Sequence, residues 1–288
     1  MHLQRREILD LYNVCVTFSP PIGIVFLRYV IEFFRIVIPQ FVISLAFVVT
    51  FDLQQALSAH HPVWLTLLIS PACFFAVGIG GTLLTVVMKW LLVGRYAPRV
   101  APLWSPFVWR SELATGLYEN ISLPLLLSWF TGSPIFNLFL WLFGTRIGRR
   151  VFCDTNYITE FDMVWIGDDA AIAENVSLQT HLFEDRIMKL SYVRVGDDAT
   201  IGHRAVVLYD TEVRAKSVLS PLSLVMKGES LPAGRVWQGI PAELQDDISP
   251  KRCLKKFERR LVTPRSHPNL FAAVQVSGGS RKRHPVEK

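Results

Sequence analysis

The chain has 288 residues, 51% of them hydrophobic, and its mean hydropathy is positive, which is high for a water-soluble protein. The length suggests about two domains. The formal net charge of +6 would suit a nucleic-acid partner. However, residues 246–288 hold eleven Lys or Arg against four Asp or Glu, a net of +7, so the rest of the chain sums to −1. The basic character belongs to this tail, no nucleic-acid motif is recognisable, and nucleic acid is not an expected partner.

Two apolar segments near the N-terminus predict a helical hairpin in a membrane. Val63 to Met88 is twenty-six residues without a charge, longer than the ~20 that a bilayer span needs. Ile36 to Phe51 is a weaker signal, because it has only sixteen residues and contains Pro39. Extended back to Ile22, this segment is long enough to span, but it then includes three charged residues, of which Arg28 and Glu32 have helical spacing.

The distribution of basic residues orients this hairpin. Residues 1–35 have four Lys or Arg, residues 51–62 have none, and residues 89–110 have four again. By the positive-inside rule both ends of the hairpin face the cytoplasm, and a short loop from Asp52 to Pro62 lies outside. The sequence thus predicts an integral membrane protein.

The next segment, Asn120 to Gly144, is also uncharged, but Pro124 and the run Thr131 to Pro134 divide it. It is interpreted as two short apolar helices at the membrane interface that cover the start of the following domain. The alternative is a third span, which would move that domain to the other side of the membrane. The four cysteines are far apart and include no CxxC pair, so neither a zinc site, nor any other metal site, nor a disulfide framework is expected.

A repeat of six residues organises the second half of the chain. Every sixth residue from Val195 is apolar, and small or flexible residues follow several of these positions. The series is Val195, Ile201, Val207, Val213, Leu219, Val225, Leu231 and Trp237. The same spacing links Ile166, Ile172 and Leu178, after which an insertion with His181 interrupts it. Short apolar repeats with turns are typical of parallel β-helices, whereas an α-helix needs apolar spacings of three and four.

These repeats (IGDDAA, IAENVS, VGDDAT, IGHRAV) resemble those of hexapeptide-repeat acyltransferases, whose coils form a left-handed parallel β-helix. Val236 to Ala242 resembles the segment that closes the acyl-donor site in that family. A wider match, which includes Gly116 to Asn120 and Thr180 to Asp185, is similar to the membrane-bound C-terminal region of single-module non-ribosomal peptide synthetases of the ε-poly-lysine synthetase type. No adenylation or carrier domain is recognised here, so the resemblance implies one terminal unit of such a system.

The resemblance implies an all-β left-handed parallel β-helix after the membrane hairpin, and it assigns site residues. His181 corresponds to the loop histidine that acts as general base on the acceptor nucleophile. An imidazole with a pKa near 6.5 can take the proton that an amine loses when it attacks a thioester. The alternative is a solvent-exposed loop histidine without a catalytic role.

Five acidic residues provide candidates for the recognition of a cationic acceptor. Glu184 and Asp185 adjoin His181 and come first, followed by Glu160, Asp162 and Asp154, with Arg186 as a possible pairing partner of the first two. The alternative is ordinary turn and surface chemistry, since Asp and Glu are common there.

The donor and the assembly are also implied by the resemblance. Trp237, Gly239 and Pro241 would contact the donor, which is an aminoacyl thioester on the phosphopantetheine arm of a carrier domain, or an acyl-CoA; no tightly bound cofactor is expected. Because the family's active site forms between neighbouring prisms, a homotrimer, or a pseudo-trimer with sister domains of a longer chain, is expected.

The expected domains are a transmembrane hairpin with its flanks in residues 1–110, an apolar interfacial connector in 111–144, a β-helical acyltransferase-like domain in 145–245 and a basic tail in 246–288. Within the tail, Lys251 to Arg265 is either an amphipathic helix on anionic membrane lipid or a solvated segment, and disorder is expected from Ser277 onward. The expected function is amide-bond formation by attack of an amine on a thioester at the cytoplasmic membrane face. An acyl-CoA-dependent O- or N-acetyltransferase and a non-catalytic β-helical scaffold in a larger synthetase remain alternatives.

Overall fold

The structure is a computed structural model that describes residues 19–245, so the expectations for the tail 246–288, including the helix from Lys251 to Arg265, lie outside it. It begins with two long apolar helices, α1 (Ile22–His60) and α2 (Val63–Leu92), which pack against each other. Both are long and apolar enough to cross a membrane. The prediction of a loop from Asp52 to Pro62 is wrong, because α1 continues to His60. The segment after Asp52 contains good helix formers and no Gly or Pro before Pro62.

A short strand and several short helices connect α2 to the β-domain. They are β1 (Arg99–Pro102), α3 (Pro106–Leu117), a π-helical turn (Tyr118–Ser122), α4 (Leu123–Leu125), a 3₁₀ turn (Leu127–Trp129) and α5 (Pro134–Phe143). Helices α3 and α5 begin alike: the serine before each proline accepts a hydrogen bond from a backbone N–H of the first turn. Serine is a preferred N-cap, and proline at the first helical position has no N–H to leave unsatisfied. The uncharged segment is therefore divided, and its longest helix has ten residues.

The second half is built from short strands that wind around a central axis. The strands are β2 (Arg146–Ile147), β3 (Phe152–Cys153), β4 (Val164–Ile166), β5 (Ala171–Ile172), β6 (Ser177–Leu178), β7 (His181–Glu184), β8 (Ile187–Leu190), β9 (Val193–Val195), β10 (Thr200–Ile201), β11 (Val206–Val207), β12 (Thr211–Val213), β13 (Val218–Leu219), β14 (Leu224–Val225), β15 (Ser230–Leu231), β16 (Val236–Gln238) and β17 (Glu243–Leu244). Successive strands fall on three different parallel faces, ordered β2-β4-β9-β12-β15, β3-β5-β10-β13-β16 and β6-β11-β14. This arrangement is a three-sided parallel β-helix, called the prism below.

The six-residue register places one residue of each strand in the centre of the prism. Val195 lies beside Ile166 and Val213 on the first face, and Ile201 lies between Ile172 and Leu219 on the second. Apart from Trp237, which is half-buried, all members of the series from Val195 are buried and belong to one core. The interpretation of the repeat as a β-helix is confirmed by this pairing, whereas its left hand stays an expectation from the resemblance.

The corners of the prism explain the small residues that follow the apolar positions. A Cβ on Gly167 would lie 2.6 Å from the backbone N of Asp197 on the next coil, and one on Gly196 would lie 2.6 Å from the backbone N of Ala215. Side chains larger than glycine would push the stacked coils apart at these corners. Helix α5 closes the first coil, since Phe136 and Phe143 share the core with Cys153 and Ile172.

The insertion after β6, where the resemblance implied a loop, is a β-hairpin. Strands β7 and β8 pair antiparallel, and Asp185 and Arg186 form the two-residue turn with positive φ values of 53° and 62°. Such turns match the twist of the hairpin but usually contain Gly or Asn, so Asp185 and Arg186 are a weak signal for a hairpin turn. The outer strand β8 also pairs antiparallel with β1, which joins the hairpin to the helical half of the chain.

Candidate active site

His181 is the first residue of β7, and its ring contacts a buried carboxylate. Its Nδ1 lies 2.8 Å from Oε2 of Glu160, and the two side chains are 25% and 1% exposed. Glu160 precedes a 3₁₀ turn (Phe161–Met163) that is positioned by the stack of Phe161 on Phe143. Because Nδ1 faces Glu160, Nε2 is the ring nitrogen left for a substrate. Glu160 is thus the hydrogen-bond partner of the histidine, an arrangement in which it can orient the ring, while its expected role in acceptor recognition stays a prediction.

Glu160 is held in place by three hydroxyl groups. Thr180 and Thr159 donate to its Oε2 at 2.5 and 2.6 Å, and Ser111 donates to Oε1 at 3.4 Å. Burial raises the pKa of the carboxyl, but the His181 contact and the threonine hydroxyls outweigh this and lower it below its ordinary value. Burial likewise lowers the pKa of His181, while the hydrogen bond and charge of Glu160 raise it by more, so the net shift is upward. The pair is therefore stabilised in its charged form.

His181 borders two cavities. The first, the helix-side cavity, has a volume of about 300 Å³. Its lining comprises four residues of α1 (Arg35, Ile36, Pro39, Gln40), six from α3 and the π-helical turn (Ser111, Glu112, Thr115, Gly116, Glu119, Asn120), and Glu160, His181, Phe183 and Met188. The second, the prism-side cavity, has about 230 Å³ and is lined by Glu119, Asn156, Tyr157, Thr159, Ser177, Leu178, Gln179, His181, Leu182 and Phe183. The histidine can thus be approached from two directions.

Ion pairs between helices close one wall of the helix-side cavity. Arg28 pairs with Glu32 on its own helix and with Glu112 of α3. The distance from Nη2 of Arg28 to Oε2 of Glu112 is 2.5 Å. Arg35 pairs with Glu32 at 2.7 Å and lies 3.9 Å from Glu112. Gly116 lies beside this group, and a Cβ there would make an ordinary van der Waals contact, 3.6 Å from Cγ of Arg35. The charges of α1 that made it a weak span therefore have partners on α1 and α3.

The other acidic residues singled out from the sequence are not collected around His181. Asp162 accepts a hydrogen bond from the buried Lys89 of α2 at 2.6 Å and lines a different, larger cavity on the first prism face. Glu184 pairs with Lys189 at 2.7 Å and with Lys227, rather than with Arg186. Asp185 is a turn residue at the tip of the hairpin, and Asp154 follows β3 near Gly132. Of the five acids, only Glu160 lines the cavities at His181.

The expected donor segment lies at the other end of the prism. Trp237 is on β16 in the last coil, whereas His181 follows β6 in the first complete coil. The Gly239 carbonyl accepts from Leu224 N, its N–H donates to Ser223 Oγ at 3.1 Å, and Pro241 follows a cis peptide bond. Trp237, Gly239 and Pro241 therefore do not meet His181 within one copy of the chain.

Three residues of the helix-side cavity escaped the sequence interpretation as site residues: Arg35, Glu112 and Glu119. They lie on α1, on α3 and in the π-helical turn, more than sixty residues before His181, so no local spacing connects them with it. A signal was present in Gly116 to Asn120, which contributed to the family resemblance but carried no assigned role. Asn120 donates to the Gly116 carbonyl at 2.8 Å and lies beside Glu119 at the cavity.

No protein-family model matches the chain. The chain is 41% identical over 241 residues to a delta-poly-L-ornithine synthetase from Acinetobacter baumannii (strain AB307-0294), a match that covers 83% of this chain and 18% of that protein. The chain thus spans less than a fifth of this relative's length.

Among solved structures, a galactoside acetyltransferase in complex with coenzyme A is 16% identical with a TM-score of 0.34, covering 41% of this chain and 75% of that one. A hexapeptide-repeat-containing acetyltransferase from Vibrio cholerae is 16% identical with a TM-score of 0.30, covering 41% and 84%. TM-scores this low do not establish a common overall structure, so the β-helix rests on the strand pairing described above. These proteins are, by name, a synthetase and acetyltransferases.

Proposed function

We propose that this chain is a membrane-anchored acyl or aminoacyl transferase that forms an amide bond by attack of an amine on a thioester. The observation that carries the proposal is the contact between His181 Nδ1 and the buried Glu160, made at the point where two cavities meet. Transfer needs a base that both substrates can reach, and a histidine between two cavities meets this requirement. The similarity to a synthetase of a poly-amino acid supports an amine as the acceptor.

The roles of the two residues follow from their chemistry. Glu160 accepts a hydrogen bond from Nδ1–H of His181, which places the lone pair on Nε2. As the neutral amine attacks the thioester carbonyl, Nε2 takes a proton from the amine nitrogen. The C–S bond then breaks, and the departing sulfur receives that proton from the imidazolium. The buried carboxylate stabilises the imidazolium formed in between, as in other histidine–carboxylate pairs.

The donor is proposed to be an aminoacyl thioester on the phosphopantetheine arm of a carrier domain, with acyl-CoA as the alternative within the same chemistry. In the resembling family a neighbouring prism completes the donor site. We therefore propose that Trp237, Gly239 and Pro241 contact the donor, that the coil is left-handed, and that the chain forms a homotrimer or a pseudo-trimer. Light scattering of the protein in detergent tests the assembly. The unit would serve as the terminal part of a peptide-synthetase-like system.

The proposal places α1 and α2 across a membrane. Large apolar side chains on both helices, such as Phe26, Phe47, Trp64 and Leu91, are exposed in the described structure, and such surfaces are stable in lipid but not in water. With 39 residues α1 is about 58 Å long, nearly twice the ~30 Å of a hydrocarbon core. Three of its four charged residues, Arg28, Glu32 and Arg35, precede Ile36, and Asp52 follows the apolar stretch, so the helix-side cavity would lie at the cytoplasmic boundary of the span.

Cysteine labelling tests this topology. In a chain whose four native cysteines are replaced, Ser58→Cys near the end of α1 and Lys216→Cys on the prism should react from opposite sides of sealed vesicles, because one apolar span separates them. Both positions are exposed in the structure. Reaction of both from the same side would contradict the membrane hairpin.

His181→Ala tests the chemistry. Transfer from a carrier-bound or CoA-linked aminoacyl thioester to ornithine or lysine should fall by a factor of ~10² to 10⁴, the usual effect of removing a positioned base. Product formation is measured by mass spectrometry, with His203→Ala as a matched control, since His203 is exposed at a coil corner away from both cavities. Full activity of His181→Ala would exclude it as the base, whereas no transfer by the wild-type protein would favour the scaffold alternative.

A further inference from the structure

The helix-side cavity has three kinds of lining at its different walls. Ile36, Phe183 and Met188 form its apolar part, and His181 is the proposed proton acceptor. Its acidic residues besides Glu160 are Glu112 and Glu119. A substrate that fits these walls has an amine at one end, a short hydrocarbon chain and a positive charge at the other end. The question is which carboxylate is free to hold that charge.

Glu112 and Glu119 differ in their ion pairs. Glu112 shares Arg28 and Arg35 with Glu32, so this group consists of two cations and two anions and is neutral. Within residues 19–245, Glu119 forms no salt bridge with any basic side chain. Glu119 is exposed to solvent, but desolvation by the surrounding protein raises the pKa of its carboxyl, and the charge of Arg35 opposes this shift without cancelling it. A carboxylate that lines a cavity and has no cationic partner is available to bind a cationic ligand there.

The backbone around Glu119 places this residue at the two cavities that His181 also lines. Glu119 lies in the π-helical turn Tyr118–Ser122, which widens the end of α3, and π-helical turns occur mostly as interruptions at functional sites. Tyr118 anchors the turn, because its ring is buried against Phe143 and Phe161 and its hydroxyl donates to the Asn156 carbonyl at 3.3 Å. Glu119, His181 and Phe183 are the residues that line both cavities.

We infer that Glu119 determines acceptor specificity: it binds the non-reacting ammonium group of a diamino acceptor whose other, neutral amine lies at His181. The methylene chain between the two nitrogens packs on Phe183 and Ile36. This inference rests on the proposed function, in which His181 takes a proton from the attacking amine. It goes further by naming the residue that distinguishes a diamine from a monoamine. Glu119 replaces Glu184 and Asp185 of the hairpin turn, the carboxylates first expected to select a cationic acceptor.

The test compares two acceptors of the same length, 1,4-diaminobutane and 4-amino-1-butanol, in which a hydroxyl replaces the second ammonium. For Glu119→Gln in the full-length protein, KM for amide formation with 1,4-diaminobutane should rise about tenfold, because a charge-assisted contact is lost. KM for 4-amino-1-butanol and kcat for both acceptors should stay close to the wild-type values. Glu119→Asp, which keeps the charge, should retain part of the preference for the diamine.

Glu174→Gln is the matched control, since Glu174 is exposed at a coil corner and lines neither cavity. Binding of 1,4-diaminobutane without donor, measured by calorimetry, separates this inference from the proposed function. Wild-type binding that weakens in Glu119→Gln supports the cation site even if no transfer is seen, in which case the proposed function fails alone. An equal loss for both acceptors, unchanged kinetics, or the absence of diamine binding to the wild-type protein would overturn the role of Glu119.

Discussion

Glu160 and Asp162 are two residues apart on one short turn, and each meets a basic side chain from a distant part of the chain. Glu160 contacts His181 of β7 at 2.8 Å, and Asp162 contacts Lys89 of α2 at 2.6 Å. The two pairs differ in access. The His181 side chain is 25% exposed and lines two cavities, whereas the Lys89 side chain is 1% exposed and also lies 3.5 Å from the ring centroid of Trp90.

This difference shows that the role of a buried carboxylate depends on the basic side chain it contacts and on the access of solvent to that side chain. Lys89 joins α2 to the turn, and Asp162 also accepts from the backbone N of Tyr96 at 3.3 Å, so this pair fixes the helices against the prism. His181 carries a second ring nitrogen at a cavity, and an imidazole can both take up and release a proton there, so its pair is suited to proton transfer. Both acids were expected to bind an acceptor, and the structure gives each a different partner.

The largest expected effect comes from breaking the enclosed pair. Lys89→Met should lower the free energy of unfolding by about 3–5 kcal/mol, because Asp162 is left buried without a cation. Adding Asp162→Asn should restore part of the loss, since no buried charge then remains. Thermal unfolding in detergent measures both variants, with Lys216→Met at an exposed coil corner as control. Equal stability of Lys89→Met and the control would show that the pair does not join the two halves.

A smaller effect, in rate rather than stability, is expected at the accessible pair. Glu160→Gln should reduce transfer by at least about tenfold, equivalent to ~1.4 kcal/mol, because His181 loses the group that orients it and stabilises its protonated form. Glu160 raises the pKa of His181 while burial lowers it, so the variant should have the lower histidine pKa. The rising limb of the rate against pH should accordingly move to lower pH.

The pH–rate profile is the measurement that separates positioning from packing. Loss of activity in Glu160→Gln with an unchanged profile would indicate damage to the fold rather than loss of the His181 partner. Asp162→Asn serves as the comparison on the same turn: it should change stability but leave the profile in place, since Lys89 lines neither cavity at His181.

Much of the fold could be predicted because its signals are local. The prism needs an inward apolar residue at every sixth position, and glycine where coils touch, and both conditions are visible in a short window of sequence. The apolar helices are likewise evident from uninterrupted runs of residues. The hairpin of β7 and β8 was missed, because its turn has no glycine and its outer pairing is with β1, more than eighty residues earlier.

The sequence by itself determined the repeat and the apolar helices, because these depend on residue type and spacing along the chain. The choice of His181 as the candidate base came from the resemblance to a known family. Tertiary structure alone decided which carboxylate meets that histidine and which one pairs with Lys89. It also decided which one, Glu119, lies beside the cavity with no salt bridge to a basic side chain of residues 19–245. The reason is physical: the charge state and reactivity of a carboxylate depend on its burial and on groups within a few ångströms, and folding brings those groups from α1, α2, α3 and β7.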